Sequence, residues 1–271
     1  MFAINYITAT ELEAKALVEF YKATKLKSKP FAVYQACESD VTINILVTGI
    51  GALNAHAAVA WFAGFNGAVS GCWINLGIAG HQSLPVGTAV LVSQINGPLL
   101  AQAFYPTVIA KWSGHFSSLT TLDAPSDLYN NTLFDMEASG VCAAAQRFTS
   151  REWIQVIKVV SDNQAKPHGE FKKSQVVELV RDELATINTY VRAVAQLAVN
   201  TKGDSALGVS IPSLPFKTSH SQNRIINEAV SKLHRVGSWD EEQLSRVLAC
   251  SDAKAAIKAL NSQLDALVPE F

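Results

Sequence analysis

Residues 41–110 form a run of seventy positions without a single Asp, Glu, Lys or Arg. A stretch so poor in charge has to lie mostly inside a fold, because charged side chains are what usually cover a surface. It is not a pair of membrane spans. Gly49, Gly51, Asn54, His56, Asn66, Gly71, Asn75, Gly77 and Gly80 break every apolar run short of the roughly 20 residues that cross a bilayer. A sheet covered on both faces accommodates it better.

Within this run, VTINILVTGIG reads as a β-branched strand ending in glycines and NAHAAVAWFAGF as an alanine-rich helix. CWINLGIAG and TAVLVSQI then read as further strands. Strand, helix, strand is the unit of a parallel sheet. Upstream, MFAINYITATELEAKALVEF predicts a short apolar strand running into a helix that carries Glu11, Glu13 and Glu19, with no basic segment before an apolar core, so no export signal is expected. Downstream, MEASGVCAAAQRF predicts a helix, VIKVVSDN a strand ending near Ser161 and Asp162, and SQVVELVRDELATINTYVRAVAQLAVN a long amphipathic helix. The loop KGDSALGVSIPSLPF suggests a boundary, giving a main domain over residues 1–202 and a small helical extension over 203–271. The extension mixes Lys and Arg with Asp and Glu, as a packing or subunit-contact element would.

The whole chain of 271 residues has a formal net charge of −1, which lacks the electrostatic footprint of a nucleic-acid or membrane binder. Cys37, Cys72, Cys142 and Cys250 are widely spaced with no CxxC pair, so neither a zinc site nor a disulfide framework is expected, and a reducing cytoplasm is the default. No His, Cys and carboxylate cluster has ligand spacing and the glycine turns do not make GxGxxG, so no metal and no organic cofactor is expected. The uncharged surface that such a run leaves over suggests a homo-oligomer, a dimer or higher.

In an open parallel sheet, ligands sit outside the carboxyl ends of the strands. Polar residues collect at such places here: Thr10 to Glu13, the turn Thr48-Gly49-Ile50-Gly51, the strand end Asn75-Leu76-Gly77-Ile78-Ala79-Gly80, the segment Phe134-Asp135-Met136-Glu137, and Ser161-Asp162-Asn163. Each taken singly has an ordinary structural explanation, as a tight turn, a helix cap or a first-turn acid. Together they offer three carboxylates, Glu13, Glu137 and Asp162, that a doubly wound sheet can bring to one rim. His56 and His81 read as core or turn histidines, and His168 and His220 lie in loops; none is assigned a role.

The order of these pieces resembles the purine nucleoside phosphorylase and nucleosidase superfamily, and within it the methylthioadenosine/S-adenosylhomocysteine nucleosidases and futalosine hydrolases. The resemblance covers about residues 1–200 and rests on TATELEA, VTGIGALNAH, NLGIAG followed by LPVGTAVLVS, and above all FDMEASGVCAAA followed by VIKVVSDN. It implies a three-layer αβα fold with a mixed twisted sheet and a small-molecule nucleoside as substrate. It also implies roles: Asp162 as general acid on the departing base, Glu13 on the attacking water, Glu137 on the ribose hydroxyls, and Met136 against the sugar. Ile50, Ile78, Ala79, Gly80 and Ser161 would complete the substrate-binding set. The chemistry asks for such groups whatever the name. Breaking an N-glycosidic bond through an oxocarbenium-like state needs an acid for the base, a base for water, and groups that hold the sugar.

A buried phosphate needs cations or aimed backbone donors. No Lys or Arg lies in residues 41–110, and NYITATELE lacks the glycine-and-arginine loop of the family's phosphorylases, so hydrolysis is favoured. This chain departs from the nucleosidases in having Ile78 where a serine is frequent, and Ala124 and Pro125 in SSLTTLDAPSD where an aromatic is expected to stack on the base. Residues 98–112, without the acidic, histidine-bearing loop of the family, read as a hydrophobic lid or a subunit contact. Two alternatives stay open: a phosphate-dependent phosphorylase, and a non-catalytic nucleoside-binding protein of the same fold.

Overall fold

The β-branched runs become strands and the alanine-rich runs helices in a computed structural model that describes residues 2–38, 41–65, 71–126, 128–167, 173–205, 214–235 and 237–267. In chain order these are β1 (Phe2–Thr8), α1 (Glu11–Tyr21), β2 (Thr24–Lys25), β3 (Ala32–Glu38), β4 (Val41–Val47), α2 (Ala52–Phe65), β5 (Gly71–His81) and β6 (Ala89–Asn96). There follow β7 (His115–Thr121), β8 (Leu133–Asp135), α3 (Ala138–Ala145), β9 (Ile154–Asn163), α4 (Val176–Ser205), α5 (His220–Arg235), α6 (Glu241–Leu248) and α7 (Ala253–Asp265).

The chain divides into two compact units, residues 1–199 and 200–271. The first holds a mixed nine-stranded sheet in the order β2-β3-β4-β1-β5-β8-β7-β6-β9. Strand β1 lies between β4 and β5 and is parallel to both, so β4, α2 and β5 form the expected crossover unit. The sheet is not open throughout, in contrast to the open parallel sheet expected from the sequence. Strand β9 returns to pair with β5 in parallel along residues 73–81, so β5, β8, β7, β6 and β9 close into a small barrel. Closure is possible because β5, at 11 residues, outruns the seven-residue β1, which it leaves after Asn75. Past Asn75 the edge that β1 gives up is free for β8, which pairs at Gly80, while the other edge pairs with β9 from Trp73 to His81, with a register shift that leaves Ser161 of β9 as an extra residue. A closed ring has no unpaired edges.

Two apolar clusters fill this unit. Ile4, Tyr6, Ile43, Ile45 and Ile74 pack with residues of α1 and α4, while Ile7, Leu46, Trp73 and Val160 pack with residues of α2 and α3. Alternate residues of each strand thus enter different clusters, as the pleat requires. Within residues 41–110 the strands are largely buried, but the stretch as a whole is not, contrary to the expectation from its lack of charge. Ile50, Leu53, Phe65, Leu99, Tyr105 and Val108 are exposed, Leu53 by 74%. Within residues 98–112, Phe104 and Trp112 are buried, and Trp112 donates to the His115 carbonyl.

The second unit gathers α5, α6 and α7 around Ile226, Ala229, Val230, Leu233, Val247, Ala256 and Leu260. The segment DEEQLSRVLACSDAKAAIKALNSQLDAL forms two helices, α6 and α7. The Asp252 side chain accepts from the Lys254 and Ala255 amides and so starts α7 afresh. Much of the expected boundary loop, residues 206–213, lies outside the described residues, as does His168. Among the described residues no helix is long and apolar enough to cross a membrane.

Candidate active site

Glu13 performs two tasks. Thr10 caps α1 and Glu13 returns the favour: its Oε2 accepts from the Ala9 amide at 2.9 Å, the Thr10 amide at 2.8 Å and the Thr10 hydroxyl at 3.1 Å. The second oxygen faces away from the cap. Oε1 accepts from the Ile78 amide of β5 at 3.1 Å. The approach depends on Gly77, where a Cβ would lie 2.7 Å from Oε1 and 3.5 Å from Lys158 Nζ.

The segment Phe134-Asp135-Met136-Glu137 divides its two acids. Asp135 caps α3 in practice, accepting from the Ala138 amide at 2.8 Å and the Thr121 hydroxyl at 2.8 Å, and it pairs with Lys158 at 2.8 Å. Glu137 stands at the N-cap of α3 but makes no cap hydrogen bond. Its Oε1 accepts instead from the Gly51 amide at 2.8 Å, in a turn where Gly49 and Gly51 have φ of +83° and +105°, values that glycine tolerates. The first-turn acid of the sequence reading is therefore turned outward from its helix and onto the glycine turn.

One ammonium serves three carboxylates. The Lys158 side chain is 1% exposed; burial works against its charge, but Asp135, Glu137 and Glu13 outweigh burial and raise its pKa. Burial also pushes the Glu137 carboxyl up to about 7, with a further push from Asp135 and an opposing pull from Lys158 and the Gly51 amide.

A few residues further along β5 lies the third acid. Asp162, 5% exposed, pairs in register with Gly80. Its Oδ1 accepts from the Ser161 hydroxyl and its Oδ2 from the Tyr129 hydroxyl at 2.6 Å. A Cβ on Gly80 would lie 2.8 Å from Oδ2, so Gly80, like Gly77, makes room for an acid.

Residues 77–80 of β5 therefore join two sets of groups: Glu13 and Lys158 at Gly77 and Ile78, and Asp162, Ser161 and Tyr129 at Gly80. Ala79 is buried between them, Ile78 and Met136 are half-buried, and the Ile50 side chain is exposed beside the turn that holds Glu137. His81 is a turn histidine, its Nδ1 accepting from the Ser83 and Leu84 amides. Among the described residues no group of three or more His, Cys, Asp or Glu is arranged to hold a metal ion.

Two members of this constellation escaped the sequence reading. Lys158 had a signal: it is the one charge in the apolar run IQVIKVV. Tyr129 had none, because it reaches Asp162 from an irregular connection between β7 and β8. Of SSLTTLDAPSD, the segment in which an aromatic was expected to stack on the base, the SSLTT part lies in β7.

No protein-family model matches the chain, and no curated protein matches it in sequence. Solved structures do match in fold. A 5′-methylthioadenosine/S-adenosylhomocysteine nucleosidase from S. pneumoniae, solved with a transition-state inhibitor, superposes with a TM-score of 0.59 at 17% identity, over 72% of this chain and 100% of that one. The Arabidopsis thaliana 5′-methylthioadenosine nucleosidase gives 0.59 at 20% identity, over 72% and 96%. A futalosine hydrolase mutant from Helicobacter pylori gives 0.58 at 10% identity, over 71% and 100%. The chain thus has the mixed α/β fold of the methylthioadenosine/S-adenosylhomocysteine nucleosidases and futalosine hydrolase.

Proposed function

We propose that this protein is a nucleosidase, hydrolysing the N-glycosidic bond of a purine nucleoside or a 5′-modified thionucleoside. The observation that carries the reading is the pair of acid clusters joined by residues 77–80 of β5, with Asp162 at one end and Glu13 at the other. In this reading Asp162 gives its proton to the departing base as the glycosidic bond lengthens. Glu13, through the oxygen that faces Gly77, takes a proton from the attacking water. Glu137 accepts hydrogen bonds from the ribose hydroxyls, Met136 lies against the sugar, and Ile50, Ile78, Ala79, Gly80 and Ser161 line the remainder. The developing positive charge on the sugar is matched by nearby carboxylates.

Water is favoured over phosphate as the nucleophile on electrostatic grounds. Lys158 is a cation that the sequence reading did not count, yet it is already paired with Asp135 and sits among Glu137 and Glu13 as well. A phosphate dianion brought there would meet a surplus of negative charge, at a cost that burial magnifies.

The further parts of the reading are a three-layer αβα arrangement, supported by the two apolar clusters, and a main domain followed by a helical extension. A cytoplasmic setting is supported by Cys37, Cys72, Cys142 and Cys250, none of which forms a disulfide. A homo-oligomer is supported by the uncharged helix α2, whose Leu53 and Phe65 are exposed.

The test is to incubate the purified protein with adenosine, inosine, methylthioadenosine, S-adenosylhomocysteine and futalosine, with and without phosphate, and to follow free base by chromatography. Release without phosphate, lost in Asp162→Asn by about a hundredfold or more, is the expected result. Release only with phosphate would make it a phosphorylase, and no release would leave a nucleoside-binding protein.

A further inference from the structure

The connection between β7 and β8 brings an aromatic residue onto the base-side acid. The Tyr129 hydroxyl donates to Asp162 Oδ2 at 2.6 Å while the Ser161 hydroxyl donates to Oδ1, so each carboxyl oxygen has its own hydroxyl. The ring edge lies close to the strand at Gly80, where a Cβ would be 3.2 Å from Tyr129 Cε1. The next residue fixes the connection to the sheet: the Gln82 amide donates to the Asn130 carbonyl at 3.1 Å. Asp162 is buried and Tyr129 half-buried, and in such surroundings a hydrogen bond to a charged oxygen is stronger than in water.

We propose that Tyr129 is a positioning residue for Asp162, holding its carboxyl in one orientation and taking up the charge that appears on it during base departure. The inference rests on the nucleosidase reading above. In that step the Asp162 O–H bond breaks and an N–H bond forms on the base, which keeps the electron pair of the broken C1′–N bond. Water adds to C1′, Glu13 takes its proton, and both acids return to their starting states by exchange with solvent. The Tyr129 O–H bond stays intact throughout. Because negative charge grows on Asp162 only as its proton leaves, the hydrogen bond from Tyr129 strengthens toward the transition state, and its loss falls on kcat rather than on KM.

Tyr129→Phe keeps the ring and removes the hydroxyl. The kcat for base release from methylthioadenosine is expected to drop about tenfold to a hundredfold, the size of a hydrogen bond to a charged group, with KM nearly unchanged. The same variant is expected to retain the wild-type rate on 4-nitrophenyl β-D-ribofuranoside, whose leaving group departs as an anion and needs no proton. Gly80→Ala, which crowds the Tyr129–Asp162 pair and leaves the hydroxyl in place, is expected to shift purine release in the same direction and carries the test should Tyr129→Phe fail to fold. An unchanged kcat in Tyr129→Phe beside an inactive Asp162→Asn overturns this inference alone. Equal losses on both substrates also overturn it, as the mark of a packing role. No base release by the wild type overturns the nucleosidase reading and this inference with it.

Discussion

The two units bury very different things. In residues 1–199 the interior holds Glu13, Asp135, Glu137, Lys158 and Asp162 along with buried Asn, Thr, Ser and Gln side chains. In the described part of residues 200–271 every buried residue is apolar, and charges stand on the surface in pairs such as Arg224 with Glu228 and Arg246 with Glu242. Burying polar groups costs stability unless each is matched. The first unit therefore carries groups that a merely stable fold would have no reason to enclose, whereas the second follows the plain pattern of amphipathic helices around a small core. The candidate chemistry belongs to the unit that departs from the plain pattern.

The contrast can be broken by experiment, most forcefully at Lys158. Lys158→Met leaves Asp135, Glu137 and Glu13 without their cation, and removing one partner from a buried ion pair typically costs about 3–5 kcal/mol. Chemical denaturation should show a loss of that order; a near-neutral result would mean that the carboxylates are solvated or protonated without it. Somewhat smaller is the effect expected of Leu233→Ala in the helical unit, about 2–5 kcal/mol by loss of packing, seen as an earlier unfolding of those helices with base release retained. A parallel loss of activity would show that the two units act together.

Glu137 sharpens the contrast through pH. Its carboxyl is held at about 7 against an ordinary 4.5, so the folded state keeps a proton that the unfolded chain gives up. The stability contributed in this way is complete below about 4.5 and is lost as the pH rises toward about 7. Unfolding measured across that window should show a downward slope with rising pH that Glu137→Gln removes; the same slope in the variant would place its origin elsewhere. The smallest effect belongs to the surface of the helical unit. Arg246→Ala breaks an exposed pair one helical turn apart and should change stability by no more than about 0.5 kcal/mol. A larger change would mean that Arg246 does more than solvate its helix.

Much of the site could be read before the fold was known. The Thr10 to Glu13 spacing announces a capping box, and glycines at strand ends mark places where the backbone must turn or admit a neighbour. The same residues prove to be where Glu13, Glu137 and Asp162 find their partners. The roles of helix α2 and strands β4, β5 and β9 were legible because hydrophobic period and β-branching act over a few residues. The seventy uncharged residues pointed to buried strands, yet could not say that Leu53 and Phe65 stay exposed.

What the sequence determined by itself was local: which segments become strands and helices, where they stop, and which acids stand at strand ends. The tertiary structure alone decided the rest. It closed part of the sheet into a barrel because β5 is long enough to serve two sets of partners, set Lys158 among three carboxylates, turned Glu137 from its own helix onto the glycine turn, and brought Tyr129 to Asp162 from an irregular connection. Each of these joins residues distant in the chain, and their free energy comes from matching charge and hydrogen bonds in a buried space, a match that no periodicity along the sequence records.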